Sequence, residues 1–97
     1  MKRIYLHHQS FAAFVDYDLL KRVMIVTFRK GKVYKFEGLP VTKIRLFEAG
    51  KNINKGSFLA SKIVTKYPSE LIATYAPEYV EKLVRQNKPQ WDKFLAQ

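Results

Sequence analysis

The chain contains no cysteine. Disulfide cross-links and thiolate metal sites are therefore excluded, and a reducing compartment is compatible with the sequence. No apolar run approaches the roughly 18–20 residues that a transmembrane helix requires. The first residues, Met1-Lys2-Arg3-Ile4-Tyr5-Leu6-His7-His8, lack the apolar stretch of a secretion signal. The expectation is a cytoplasmic protein. There is no internal repeat and no low-complexity segment. No Ser/His/Asp or other nucleophile constellation stands out, so neither catalytic residues nor a cofactor are expected.

Acidic residues are scarce in one region. Between residues 19 and 66 twelve basic side chains face only Glu37 and Glu48, whereas residues 1–18 and 67–97 each sum to zero. The whole net charge of +10 thus lies in the middle of the chain. A concentrated positive field attracts polyanions and speeds their encounter. The plainer alternative is a solvated surface that keeps a small protein soluble.

What is present suits one folded domain. Hydrophobic residues make up 47% of the 97 residues and aromatics 14%, enough to form a core. Residues 10–18, 23–28 and 32–37 mix aromatic and β-branched residues at strand-like spacing, with Lys30-Gly31 as a turn, and predict an antiparallel meander. Gly38-Leu39-Pro40 ends it. Val41, Ile44 and Phe47 recur every third residue and predict a helix over 41–49. After a loop from Gly50 to Gly56, a second helix carries Phe58, Leu59, Ile63 and Tyr67 and stops at Pro68. Ser69-Glu70 reads as a short helical turn. A firmer helix opens at Ala76-Pro77-Glu78, with Tyr79, Val80, Leu83 and Val84 on one face and acids in its first turn. Residues 90–96, with Trp91, Phe94 and Leu95, predict a last short helix that anchors the tail. The fold class is α+β: a three-stranded antiparallel β-meander packed by two helices, with a C-terminal helical extension over 68–97 packing on the same domain.

One further pattern spans most of this region. Ser10, Tyr17-Asp18, Val26-Thr27-Phe28, Gly31-Lys32-Val33-Tyr34-Lys35-Phe36 and Leu39-Pro40 follow one another, then Ala49, Gly56, Phe58, Leu59, Ile63 and Tyr67. The order and spacing resemble the KTSC domain, a family named for the C-terminus of some lysyl-tRNA synthetases. The resemblance places a KTSC-like domain at 1–67, with its core at 10–67. Ala60 and Val64 stand where the family often has asparagine and arginine. RNA binding is the role suggested for the family, and the resemblance extends that expectation to this chain.

Two features offer chemistry for a nucleic-acid partner. If Lys30-Gly31 centres the hairpin turn, Phe28 faces Val33, Thr27 faces Tyr34 and Ile25 faces Phe36. Tyr34 and Phe36 then share a face away from Met24, Val26 and Phe28. Left open, that face is an aromatic platform edged by Arg29 and Lys32, on which bases stack; covered on both sides, it is core. The loop Lys51-Asn52-Ile53-Asn54-Lys55-Gly56-Ser57 leads into a helix N-terminus and offers either a phosphate cradle or an ordinary Asn/Gly turn capped by Ser57. The candidate nucleic-acid-binding residues are Arg29, Lys30, Lys32, Tyr34, Lys35, Phe36, Lys51, Lys55 and Lys62. His7-His8 is a poor metal pair, because adjacent strand residues point opposite ways. Asp16 and Asp18 share a strand face and suit a divalent ion with Glu37 or, alternatively, turn capping. The leading expectation is a non-catalytic RNA-binding module of low sequence specificity. The alternatives are a phage or ribosome-associated accessory protein that binds an acidic partner, and a small nuclease.

Overall fold

The computed structural model describes residues 1–50 and 54–86. Five strands form one antiparallel sheet in chain order: β1 (Lys2–Tyr5), β2 (Ala12–Asp18), β3 (Val23–Phe28), β4 (Lys32–Phe36) and β5 (Glu70–Thr74). Between β4 and β5 lie α1 (Val41–Ala49) and α2 (Lys55–Phe58), which runs on into a π-helical segment, Leu59–Val64. A third helix, α3 (Pro77–Gln86), follows β5.

The α+β class and the central meander agree with the sequence, but the sheet has five strands rather than three. β1 adds to the free side of β2, with Ile4 opposite Val15 and Tyr5 opposite Phe14. β5 adds to the free side of β4, with Val33 opposite Ala73 and Tyr34 opposite Leu71. The region after Pro68 is therefore not wholly helical. The backbone hydrogen-bonding groups along β4 take a partner strand, and Leu71, Ile72 and Thr74 suit a pleated edge. The expected helix over 90–96 lies outside the described residues.

The helices cover opposite faces. On one face, Val15, Tyr17, Met24, Val26 and Phe36 of the strands join Leu39, Ile44 and Phe47 around α1, and Leu59 and Ile63 of the second helical stretch. All of these are buried. On the other face, Val80 of α3 packs with Ala13 and Phe14, and half-buried Leu83, Val84 and Tyr5 enclose them. A bulge between Ala12 and Phe14 lets Ala13 join Phe14 on the α3 side, where strict alternation would send it to the opposite one.

The β3–β4 turn sets which aromatic residues are buried. The Gly31 N–H donates to the carbonyl of Phe28 at 2.9 Å, and Gly31 has φ +110. The connection is thus a three-residue loop, Arg29-Lys30-Gly31, ending in a glycine with positive φ. Val26 pairs with Tyr34 and Met24 with Phe36. This is one residue away from the register expected of a turn centred on Lys30-Gly31, and it reverses the faces. Tyr34 and Phe36 share the face covered by α1 and the second helical stretch with Met24 and Val26.

Candidate nucleic-acid interface

The register removes the proposed aromatic platform. Phe36 is 1% exposed, one of the largest fully buried side chains. Tyr34 is half-buried against the same core, its ring 5.4 Å from that of Phe28. Phe36 presents no open stacking face and Tyr34 is partly covered, and the physical reason is the turn: one extra loop residue rotates both rings toward the core.

Several candidate cations are engaged within the fold. The Arg29 guanidinium donates from Nε to the Ser10 carbonyl and from Nη2 to the His7 carbonyl, both at 2.7 Å. It also lies 3.7 Å from Glu81 of α3. Arg29 therefore clamps the β1–β2 connection and ties it to α3. The Lys55 ammonium donates to the carbonyls of Phe47 and Glu48, where the last turn of α1 leaves acceptors without helical partners. Its nitrogen stands 5.0 Å from the centre of the Phe47 ring, and desolvation lowers the pKa of the group. The Asn54 side chain accepts from the Ser57 N–H at 3.1 Å, so Asn54 rather than Ser57 caps α2. The expected phosphate cradle thus has its lysine turned toward α1 and one of its N–H groups already capped. Lys51 lies outside the described residues.

Lys35 pairs with Glu37 at 2.9 Å, a hydrogen bond that raises its pKa. Lys43 donates to the Lys62 carbonyl at 3.4 Å and sits over the Tyr67 ring at 4.8 Å, joining α1 to the π-helical segment. Lys30, Lys32 and Lys62 are different. Their side chains are exposed and form no ion pair among the described residues. The same holds for Lys21, Arg22, Arg45 and Lys66, which the sequence reading did not single out. Within residues 19–66 these seven cations fall in three places: the β2–β3 turn, the outer side of the helical layer, and the β3–β4 hairpin; Lys82 and Arg85 of α3 are likewise exposed and without an ion pair among the described residues.

Asp16 and Asp18 are engaged within the fold. Asp16 receives Arg3 at 2.7 Å, a hydrogen bond that raises the guanidinium pKa further. Asp18 accepts the Leu20 and Lys21 N–H groups at 2.9 and 3.1 Å, and these bonds lower its pKa. It caps the turn. Among the described residues no three His, Asp or Glu side chains gather as a metal site. His7 and His8 do not diverge, because they lie beyond the end of β1; their ring centres are 4.2 Å apart. No helix among the described residues is long and apolar enough to cross a membrane.

The residues behind the family resemblance meet in space. Ser10 Oγ lies 2.7 Å from where a Cβ on Gly56 would stand, so the β1–β2 connection packs directly on the start of α2. No family model matches the chain, and no curated protein matches it. Among solved structures, a KTSC domain protein from Yersinia pestis is similar, with a TM-score of 0.60 and 22% identity. The likeness covers 73% of this chain and 96% of that one. The fold of this chain is therefore that of a KTSC domain protein, as the motif order from Ser10 to Tyr67 implies.

Proposed function

We propose that the protein is a non-catalytic module that binds RNA through its basic surface, with low sequence specificity. One observation carries this reading: within residues 19–66 seven exposed cations, Lys21, Arg22, Lys30, Lys32, Arg45, Lys62 and Lys66, form no ion pair among the described residues. Lysine and arginine in that state attract phosphates without reading bases. The engaged cations Arg29, Lys55 and Lys35 support the fold and contribute less to binding.

The test is the salt dependence of binding to a single-stranded oligoribonucleotide. Each neutralised phosphate releases a condensed counterion. If about four phosphates are contacted, affinity should fall roughly 50-fold between 50 and 200 mM salt. Protein purified without nuclease should also carry absorbance in excess at 260 nm. Affinity indifferent to salt, or no binding at low salt, refutes the proposal. Incubation with RNA and magnesium should leave the polymer intact; cleavage abolished by Asp16→Asn would establish an enzyme instead.

A further inference from the structure

The described residues include an exposed aromatic pair, which half-buried Tyr34 and buried Phe36 do not supply. Tyr75 is 41% exposed and Tyr79 is 46% exposed. Their ring centres lie 5.1 Å apart, edge to face at 61°. Tyr75 follows the last residue of β5, and Tyr79 is in the first turn of α3. A lone exposed ring is ordinary, but two in contact are a patch.

The backbone brings this pair to the β3–β4 hairpin. The Tyr75 N–H donates to the Gly31 carbonyl at 2.9 Å, and Lys32 pairs with Thr74 across β4 and β5. Lys30 and Lys32 flank Gly31 in sequence, and both are exposed and without an ion pair among the described residues. Glu81 faces Arg29. Glu78 and Glu81 line a shallow groove on α3 with Lys82, Arg85 and Gln86, and neither tyrosine lines it.

We infer that Tyr75 and Tyr79, joined through Gly31 to the hairpin that carries Lys30 and Lys32, form a stacking subsite for an unpaired base of single-stranded RNA. The inference rests on the RNA-binding reading above and adds to it a location. The occupant follows from the chemistry: a π-face for the base at the foot of a hairpin whose tip carries cations for the flanking phosphates.

The experiment uses the full chain and a fluorescent twelve-nucleotide oligouridine, titrated by anisotropy at several salt concentrations. Tyr75→Ala and Tyr79→Ala should each weaken binding roughly 5- to 150-fold with an unchanged salt slope, because a ring releases no counterion. Tyr79→Phe should keep most of the affinity. Lys32→Ala should weaken binding and reduce the slope by about one. Steep salt dependence in the parent, with both alanine variants binding as the parent does, overturns the subsite and leaves the basic-surface reading standing. No binding by the parent at low salt overturns both. A dimer of the parent that Tyr75→Ala dissociates would assign the patch to a second copy and overturn the subsite. Photo-crosslinking of the parent to oligouridine carrying 4-thiouridine is independent of any folding defect in the variants. Crosslinks should map to Tyr75 or Tyr79, and crosslinks confined to other segments refute the inference.

Discussion

Gly31→Ala tests the hairpin geometry on which both the core and the candidate subsite depend. Gly31 has φ +110, and a Cβ built there would lie 1.9 Å from the Tyr75 carbonyl oxygen. That atom is backbone, so it cannot swing aside as a side chain would. An L-residue in left-handed backbone costs about 1–2 kcal/mol. Relief of the contact moves Tyr75 away and breaks its hydrogen bond to Gly31, a further loss of about 1 kcal/mol. The expected destabilisation is about 2–4 kcal/mol, a large share of the roughly 5–15 kcal/mol that holds such a domain folded. For a chain of this size that lowers Tm by about 10–25 °C. Gly38 is the control. It also has positive φ, +68, but nothing lies within 4 Å of its Cβ position. Gly38→Ala should therefore show only the backbone cost, about 1–2 kcal/mol. Urea denaturation followed by circular dichroism measures both. Equal losses for the two variants, or a Gly31→Ala protein within about 0.5 kcal/mol of the parent, would refute the close approach of β5 to the hairpin.

Three further outcomes follow from the interior. Phe36→Ala opens a cavity under α1 and should cost about 3–5 kcal/mol of stability, read by the same denaturation; a small loss would place Phe36 at the surface after all. Lys55→Met keeps the aliphatic stem but removes the donor to the Phe47 and Glu48 carbonyls, so stability should drop by about 1–2 kcal/mol, whereas Lys62→Met, with an exposed side chain, should change it little. Burial, helped by a hydrogen bond to Glu48, pushes the Tyr17 hydroxyl up to about 12 from its ordinary value of 10.0. The folded state then favours the protonated phenol more than the unfolded state does, so this contribution is intact below pH 10, declines as pH rises toward about 12, and is gone beyond it. Tyr17→Phe should flatten that part of the stability profile, and an unchanged profile would count against the buried hydroxyl.

Much of the fold was legible in the sequence because its core elements carry strong patterns. Ile44 and Phe47 recur at helical spacing and are buried; Leu59 and Ile63 do the same in the second helical stretch. The two edge strands were harder. β1 places Lys2 and Arg3 beside Ile4 and Tyr5, and basic residues on an edge strand discourage further pairing while blurring its apolar alternation. β5 opens on Glu70, which after Ser69 reads as a helix start. Its pairing with β4 is a long-range event that local propensity does not encode. The most consequential difference is one residue of register. Lys30-Gly31 fits a two-residue turn and equally the end of a three-residue loop, and the Gly31–Phe28 hydrogen bond and the strand register distinguish them. Because side chains alternate with period two, that single residue placed Phe36 in the core and Tyr34 half-buried against it.

The candidate interface was less legible because charge counts do not report what a cation touches. Arg29, Lys35 and Lys55 look in the sequence like Lys30, Lys32 and Lys62. In the fold, Arg29 holds two carbonyls of the β1–β2 connection, Lys35 faces Glu37 and Lys55 closes the end of α1. Each of those groups would have to give up a satisfied contact to reach a phosphate, and a donor withdrawn from a partly buried carbonyl leaves an acceptor unpaired. Exposed cations without partners carry no such cost, so any polyanion should engage them first. The same logic moves the aromatic contribution from β4 to the junction of β5 and α3. A ring already packed in the core gains little from a base, whereas Tyr75 and Tyr79 still expose surface that stacking can cover. The hairpin tip is where the two criteria coincide, since Gly31 joins Tyr75 there and Lys30 and Lys32 flank it.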